Sequence, residues 1–221
     1  MREIALNLYL LYLISLPKSI YFNFRCLAWQ QAIHLPILVH WRTKFVSLRR
    51  NSIEIEGNIK PFMVKLGLGG TPKVMARRTV ISSEGKLVFH GRVAFGRGIL
   101  LSNRGTMHIG KDINSNPNIS ISCMDAITIG DHTMIGSDIT IRDNDGHQVF
   151  TDSEEQEMSK PVVIGDHVWL CDKVVVLKGA AIAEGSIAAF QSVITKAFRE
   201  PHVLIAGIPG KIVKRNVDWK H

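Results

Sequence analysis

IGDHVW-LCDKVV-VLKGAA-IAEGSI-AAFQSV-ITKAFR, residues 164–199, is the stretch on which the fold turns. Its hexads open on Ile164, Leu170, Val176, Ile182, Ala188 and Ile194, all apolar. Four places after the first five sit Val168, Val174, Ala180, Ser186 and Ser192, all small or β-branched. A period of six fits neither an amphipathic helix, at 3.6, nor a plain alternating strand. It fits a coil of short flat strands joined by tight corners, with the first residue pointing inward and the small one seated in the corner. Three such sides make a turn of about 18 residues, and successive turns stack into a solenoid. A β-sandwich of short strands would not hold one phase through so many hexads. An earlier block, ITIGDHTMIGSDITI (127–141), repeats the phase at Ile129, Ile135 and Ile141. Gly110, Gly130, Gly136 and Gly165 follow inward residues and are expected to supply backbone freedom there.

Upstream the phase slips. Phe95 and Leu101 share one register, Ile109 falls in another, and eight residues separate Ile121 from Ile129, which predicts corner insertions between about residues 85 and 128. Residues 21–84 show no clear repeat. NSIEIEGNI (51–59) alternates like a strand, while Gly67, Gly69 and Gly70 mark turns. The expected class is all-β. Residues 1–84 form an N-terminal apolar segment and capping region that closes the open end of the coil. Residues 85–221 form the β-helix, with a protruding loop at 143–161 and a C-terminal tail.

The first apolar run, IALNLYLLYLISL (4–16), is shorter than the ~20 residues of a bilayer span. The SLPKSIYFNFR that follows lacks the small-residue cleavage site of a secretory signal. The run reads as packed on the protein, with peripheral contact to a membrane surface as the alternative. With 46% hydrophobic and 21% charged residues, the chain has a globular balance that excludes disorder. Its net charge of +8 calls for an anionic partner. Arg49-Arg50 and Arg77-Arg78 are isolated pairs without aromatic interleaving, so no nucleic acid is expected. Cys26, Cys123 and Cys171 are too few and too scattered for a disulfide framework, which fits a reducing cytoplasm.

The hexads stop after Ile141 and resume at Ile164. Between them lies RDNDGHQVFTDSEEQEMSKP (142–161), a polar excursion long enough to signal function. His147 stands at its stem beside Asp143 and Asp145, carboxylates expected to orient an imidazole and set its tautomer. An imidazole, with a reference pKa of ~6.5, suits a general base that activates a hydroxyl or amine. The acids beyond it, Asp152, Glu154, Glu155 and Glu157, suit a neutral, hydroxyl-rich acceptor.

Four stretches together resemble the hexapeptide-repeat acyltransferase superfamily, in its branch of galactoside, maltose and capsular or lipopolysaccharide O-acetyltransferases. They are SNPNISI (115–121), ITIGDHTMIGSDITIRDNDGH (127–147), PVVIGDHVWL (161–170), and SVITKAF with IAGIPGKIVK (192–214). The likeness covers residues 95–219. It implies a left-handed parallel β-helix, assembled as a homotrimer, with acetyl-CoA as co-substrate in the cleft between subunits and no metal. It implies His147 as the general base and Asn116 as the group that polarises the acceptor or the intermediate. Asn116 reads equally well as a corner asparagine in a turn. In the cofactor groove, Trp169 matches a tryptophan at the thioester end. Thr195 and Lys196 match a Thr-Lys pair at the adenosine and its phosphates, and Lys211 matches a basic position nearby. Asp172 and Phe190 occupy groove positions where smaller residues are usual. The reaction implied is direct acetyl transfer to a hydroxyl of a sugar or surface polysaccharide precursor, in the cytoplasm or at the inner face of the membrane. Acylation of serine or of an amino sugar is the alternative within the fold. A non-catalytic or metal-binding solenoid is the alternative outside it, although His90, His108, His132 and His167 fall in no spacing of a zinc site.

Overall fold

Hydrogen bonds from each coil to the next organise the chain. Val80, Leu100, Ser120, Thr140, Val175 and Val193 donate their N–H groups, at 2.8–3.0 Å, to the carbonyls of Ile99, Ile119, Ile139, Val174, Ser192 and Gly207. The computed structural model describes residues 2–69 and 76–220, without the side chains of residues 2–9. Gly70, expected to mark a turn, lies outside the described residues. Three stacked sheets result, here called faces A, B and C, with nine, seven and seven strands among the described residues. All their pairings are parallel except the last on face A. The chain takes the faces in order. Coil 1 runs through Ile37–Val39, Lys44–Leu48 and Ile53–Ile55. Coils 2 to 6 open on the face-A strands Val64–Gly69, Val93–Gly96, Ile113–Ser115, Met134–Ile135 and Trp169–Leu170, and coil 7 runs through Ile187–Ala188, Val193–Ile194 and Ala197–Phe198. Beyond it Val203–Ala206 adds to face A and Lys211–Arg215 returns antiparallel, closing that end.

The inward residues stack in columns. On face C, Ile55, Phe89, Ile109, Ile129, Ile164, Ile182 and Phe198 lie in register, none more than 5% exposed. Burial of each such side chain contributes about 1.5–3 kcal/mol. The corner residues read from the hexads, from Val168 to Ser192, are buried as expected. The glycines of the IGDH hexads have another role than backbone freedom, since none takes a positive φ. A Cβ on Gly130 would lie 2.4 Å from Asp166 Oδ1 in the next coil. That aspartate accepts the Asp131 N–H at 2.8 Å, and Asp131 accepts the Lys111 N–H at 2.9 Å. The left-handed conformation falls instead on His132 and His167, at φ 55° and 52°.

The solenoid begins at Ile37, not near residue 85. Ile81, Leu101, Ile121 and Ile141 stack 20 residues apart, whereas Ile164 and Ile182 stack 18 apart. The extra length lies at the corner between faces B and C, where a Cβ on Gly105 would meet the Asp125 carbonyl oxygen at 2.2 Å. In the first coils longer connections hide the phase, since Val39 pairs with Leu66 and Ile55 with Phe89. Gly67 and Gly69 lie within the strand Val64–Gly69, and Gly67, at φ 80°, marks a slip in register.

The first coil's edge is closed by helix α1, Arg2–Cys26. Asn23 Nδ2 donates to the Ile37 carbonyl (2.7 Å) while its Oδ1 accepts the Ile37 N–H (3.1 Å). One and two turns earlier, Ser19 Oγ accepts the Val39 N–H (2.9 Å) and Ser15 Oγ the Trp41 N–H (3.2 Å). Beyond the helix, Gln31 treats Ile55 on face C as Asn23 treats Ile37. Leu10, Leu13, Ile14, Ile20, Tyr21 and Phe24 on the outer side of α1 stay exposed. No described helix is long and apolar enough to cross a membrane. Asn23→Ala strands a buried N–H and a buried C=O, so it is expected to cost about 2–5 kcal/mol in urea unfolding, against less than about 0.5 kcal/mol for Ile14→Ser on the outer side.

Candidate active site

The loop leaves between faces B and C in coil 5, and its stem is polar and tightly held. Asp143 is fully buried; its carboxylate accepts N–H groups from Met124 (2.8 Å) and Asp125 (2.8 Å) in the neighbouring coil. Asn144, 3% exposed, donates through Nδ2 to the Ser122 carbonyl (3.2 Å) and to Asp143 Oδ1 (2.9 Å). Arg142 Nε donates to the Asn144 carbonyl at 2.8 Å, and Lys160 N–H closes the stem on the Asp143 carbonyl at 2.8 Å. Lys178, from coil 6, pairs with Asp145 and donates to the Glu157 carbonyl at 2.6 Å. Within the loop a short antiparallel pair joins Phe150–Thr151 to Glu154–Glu155.

His147 projects past this stem, exposed, after Gly146 turns the chain at φ 80°. The flanking carboxylates do not orient it. Asp143 is spent on backbone N–H groups and Asp145 on Lys178. What they fix is the stem that presents the imidazole. Sequence reasoning missed Asn144 and Lys178 in this role; their signal is a buried amide and a lysine at the corresponding corner of the next coil.

The other site residues fall on different lines of the solenoid. Thr195 and Lys196, both exposed, share His147's edge between faces B and C, two coils away in coil 7. That is about 10 Å at ~4.8 Å per coil. Asn116 lies on the opposite edge of face B, in the A-to-B corner of coil 4, its N–H donating to the Ile135 carbonyl at 2.8 Å. Asp172 and Phe190 follow on that edge in coils 6 and 7. Asp172 Oδ1 accepts the Ser137 N–H at 2.6 Å, so this carboxylate builds the corner. Phe190 points outward, 57% exposed, with Lys173 Nζ 5.6 Å from its ring. Lys211, exposed, opens the return strand beside Gly210, which donates to the Val193 carbonyl (2.8 Å). Trp169 sits on face A, 6.0 Å from Trp219. Trp219 itself stacks on His167 at 4.2 Å and donates its Nε1–H to the His167 carbonyl. The sequence did not mark this tail contact.

Within one chain, then, His147 and Asn116 stand on opposite edges of one face. Five to seven residues of strand and corner lie between those edges, about 17–23 Å at ~3.3 Å per residue.

No family model matches the chain. WbbJ of Escherichia coli (strain K12), provisionally named a lipopolysaccharide biosynthesis O-acetyl transferase, is 30% identical over 148 residues, covering 61% of this chain and 74% of that protein. The chain belongs to the hexapeptide-repeat acetyltransferases. The galactoside O-acetyltransferase of the same strain is 31% identical over 118 residues, which span 52% of this chain and 57% of that enzyme, little more than half its length. Among solved structures, the polySia-specific acetyltransferase NeuO superposes with a TM-score of 0.52 at 22% identity, covering 84% of this chain and 79% of its own. As a member of this family the protein is an acyltransferase, and its solenoid is the left-handed parallel β-helix. Among the described residues no group of three or more His, Cys, Asp or Glu is placed to hold a metal. His90 and His108 pair with each other, Nε2 to Nδ1 at 3.0 Å.

The cysteines are poor nucleophiles in this acetyltransferase. Burial pushes the Cys26 thiol up to about 12. Burial, with the Asp143 charge adding to it, does the same at Cys123. Burial, then the Asp172 charge, also raises Cys171. Since the thiolate is the reactive form, iodoacetamide at pH 8 is expected to leave Cys26 and Cys123 unmodified in the native protein and to label them in urea. Mass spectrometry reads the difference.

Proposed function

We propose that the enzyme moves an acetyl group from acetyl-CoA to a hydroxyl of a sugar, in the assembly of a surface polysaccharide, by direct transfer with His147 as general base. The observation that carries this reading is the position of His147. A rigid polar stem holds it at the edge of face B, and Thr195 and Lys196 lie two coils further along that edge. In the transfer, His147 takes the hydroxyl proton as the acceptor oxygen forms its bond to the thioester carbonyl carbon. The carbon–sulfur bond then breaks, and the proton passes to the departing thiolate of CoA. Asn116 donates through its amide to the oxygen that gains charge. No acyl-enzyme is required, in keeping with the raised thiols.

Lys196, Lys211 and Thr195 fit the phosphates of the co-substrate in kind, two cations and a hydroxyl, all solvent-facing toward the C-terminal end. Trp169 and Phe190 supply apolar surface for the pantetheine arm. The distance between His147 and Asn116 in one chain favours a site made from two, with the B-to-C edge of one copy facing the A-to-B edge of its neighbour. A threefold ring, the homotrimer, closes such a heterologous contact. Use of acetyl-CoA suits an enzyme of the cytoplasm. The exposed apolar side of α1 suits peripheral contact with the inner face of a membrane.

Two measurements test this. His147→Ala is expected to lower acetyl transfer roughly 10²–10⁴-fold with folding intact, and unchanged turnover sinks the assignment. Chains carrying His147→Ala, co-assembled with chains carrying Asn116→Ala, are expected to regain up to a third of the sites. No recovery at all would put both residues in one chain's site.

A further inference from the structure

The edge that carries Asn116 continues toward the N-terminal cap, and its character changes there. Arg97, in coil 3, accepts the Asn118 N–H on its carbonyl at 2.8 Å, which sets it one coil step from the Asn116 corner. Arg77, in coil 2, donates its N–H to Asn118 Oδ1 at 2.9 Å. Arg78 donates through Nε to the Arg42 carbonyl of coil 1 at 2.9 Å. Three successive coils thus bring four arginines to one line, spaced ~4.8 Å per coil. Together with His40 and Trp41 they line a cavity of about 350 Å³, and the described residues that line it include no carboxylate. Among the described residues no acid pairs with Arg42, Arg77 or Arg78. The crowding of positive charge is felt by its neighbours. Burial first, then Arg97, Arg42 and Lys18, lower the His40 pKa; burial, then Arg78, lower that of Lys18.

The order along the edge decides what this cavity is for. The reacting level lies at coils 4 and 5. Toward the C-terminal end lie the groups suited to the co-substrate, so the N-terminal side is left for the acceptor. A pyranose ring spans about one coil step. With its reacting hydroxyl at Asn116, the substituent on its far side reaches Arg97 and then Arg77 and Arg78. Guanidinium groups bind phosphate oxygens in bidentate fashion, and a diphosphate spreads its charges over about one coil step.

We propose that the arginine pocket of coils 1–3 binds the phosphate or diphosphate that carries the acceptor sugar, so that the acceptor is a phosphate-linked sugar. This rests on the acetyl-transfer reading of the same edge. It differs from the neutral acceptor suggested by the acids beyond His147. Of those, Glu157 pairs with Lys160 at 2.6 Å inside the loop.

Inorganic pyrophosphate titrated calorimetrically into the full chain is expected to bind, and to bind at least roughly tenfold more weakly to the exposed-residue variants Arg77→Ala/Arg78→Ala and Arg42→Ala. The ratio of kcat/KM for UDP-glucose or a short prenyl-diphosphate glucose over methyl glucoside is expected to fall by a similar factor in the same variants. Whichever phosphate-linked acceptor is preferred identifies a nucleotide or a lipid carrier. The proposal is overturned by pyrophosphate binding indifferent to the arginines, by pyrophosphate competing with acetyl-CoA, or by a glucuronide preferred over both phosphate-linked sugars. If pyrophosphate binds at the arginines while no sugar is acetylated, the pocket holds and the acetyl-transfer reading fails. Transfer to sugars without pyrophosphate binding does the opposite: acetyl transfer stands and the pocket falls.

Discussion

A parallel solenoid satisfies its backbone only through the coil above and the coil below. That ladder, at 2.8–3.0 Å along face B, is the constraint from which the rest follows. It forces each inward residue onto its counterpart, which is why one column runs from Ile55 to Phe198 with no polar interruption. It forces corners to nest, so that glycine is needed where the next coil's backbone occupies the place of a Cβ. Aspartates such as Asp131, Asp166 and Asp172 then take up the corner N–H groups that the ladder leaves over.

The C-terminal coils were legible because their sides keep six residues, and one phase is visible without knowing the fold. The coils before Ile129 obey the same stacking, but in the sequence their phase slips or is not visible. Two extra residues at one corner and longer connections after Ile55 and Leu66 destroy the periodicity in sequence while leaving it intact in space. The helix escaped for another reason. A run apolar on all sides has no 3.6 signature, and its decisive residues, Ser15, Ser19 and Asn23, look like blemishes until each is seen holding a strand.

For the site, sequence identified residue types and the break that releases His147. What it lacked was the triangular cross-section. Asn116 and His147 are 31 positions apart in the chain and read as neighbours in function, yet a whole face lies between them. Likewise Asp143 and Asp145 beside His147 suggested a hydrogen-bonded partner for the imidazole. Burial and a lysine from the following coil recruit both into the stem. Distance along the chain carries little information when every coil returns the chain to the same three edges.

Helix α1 has one consequence beyond holding coil 1 together. Stacked parallel strands are an open-ended template, and the exposed first coil of one molecule would match the last coil of another as well as it matches its own second coil. Asn23, Ser19 and Gln31 occupy the donors and acceptors through which such growth would start, and at the far end the antiparallel return of Lys211–Arg215 covers part of face A. The length of this solenoid is therefore set by its terminators. A chain that shed the helix would carry, at one end, the surface from which a filament nucleates.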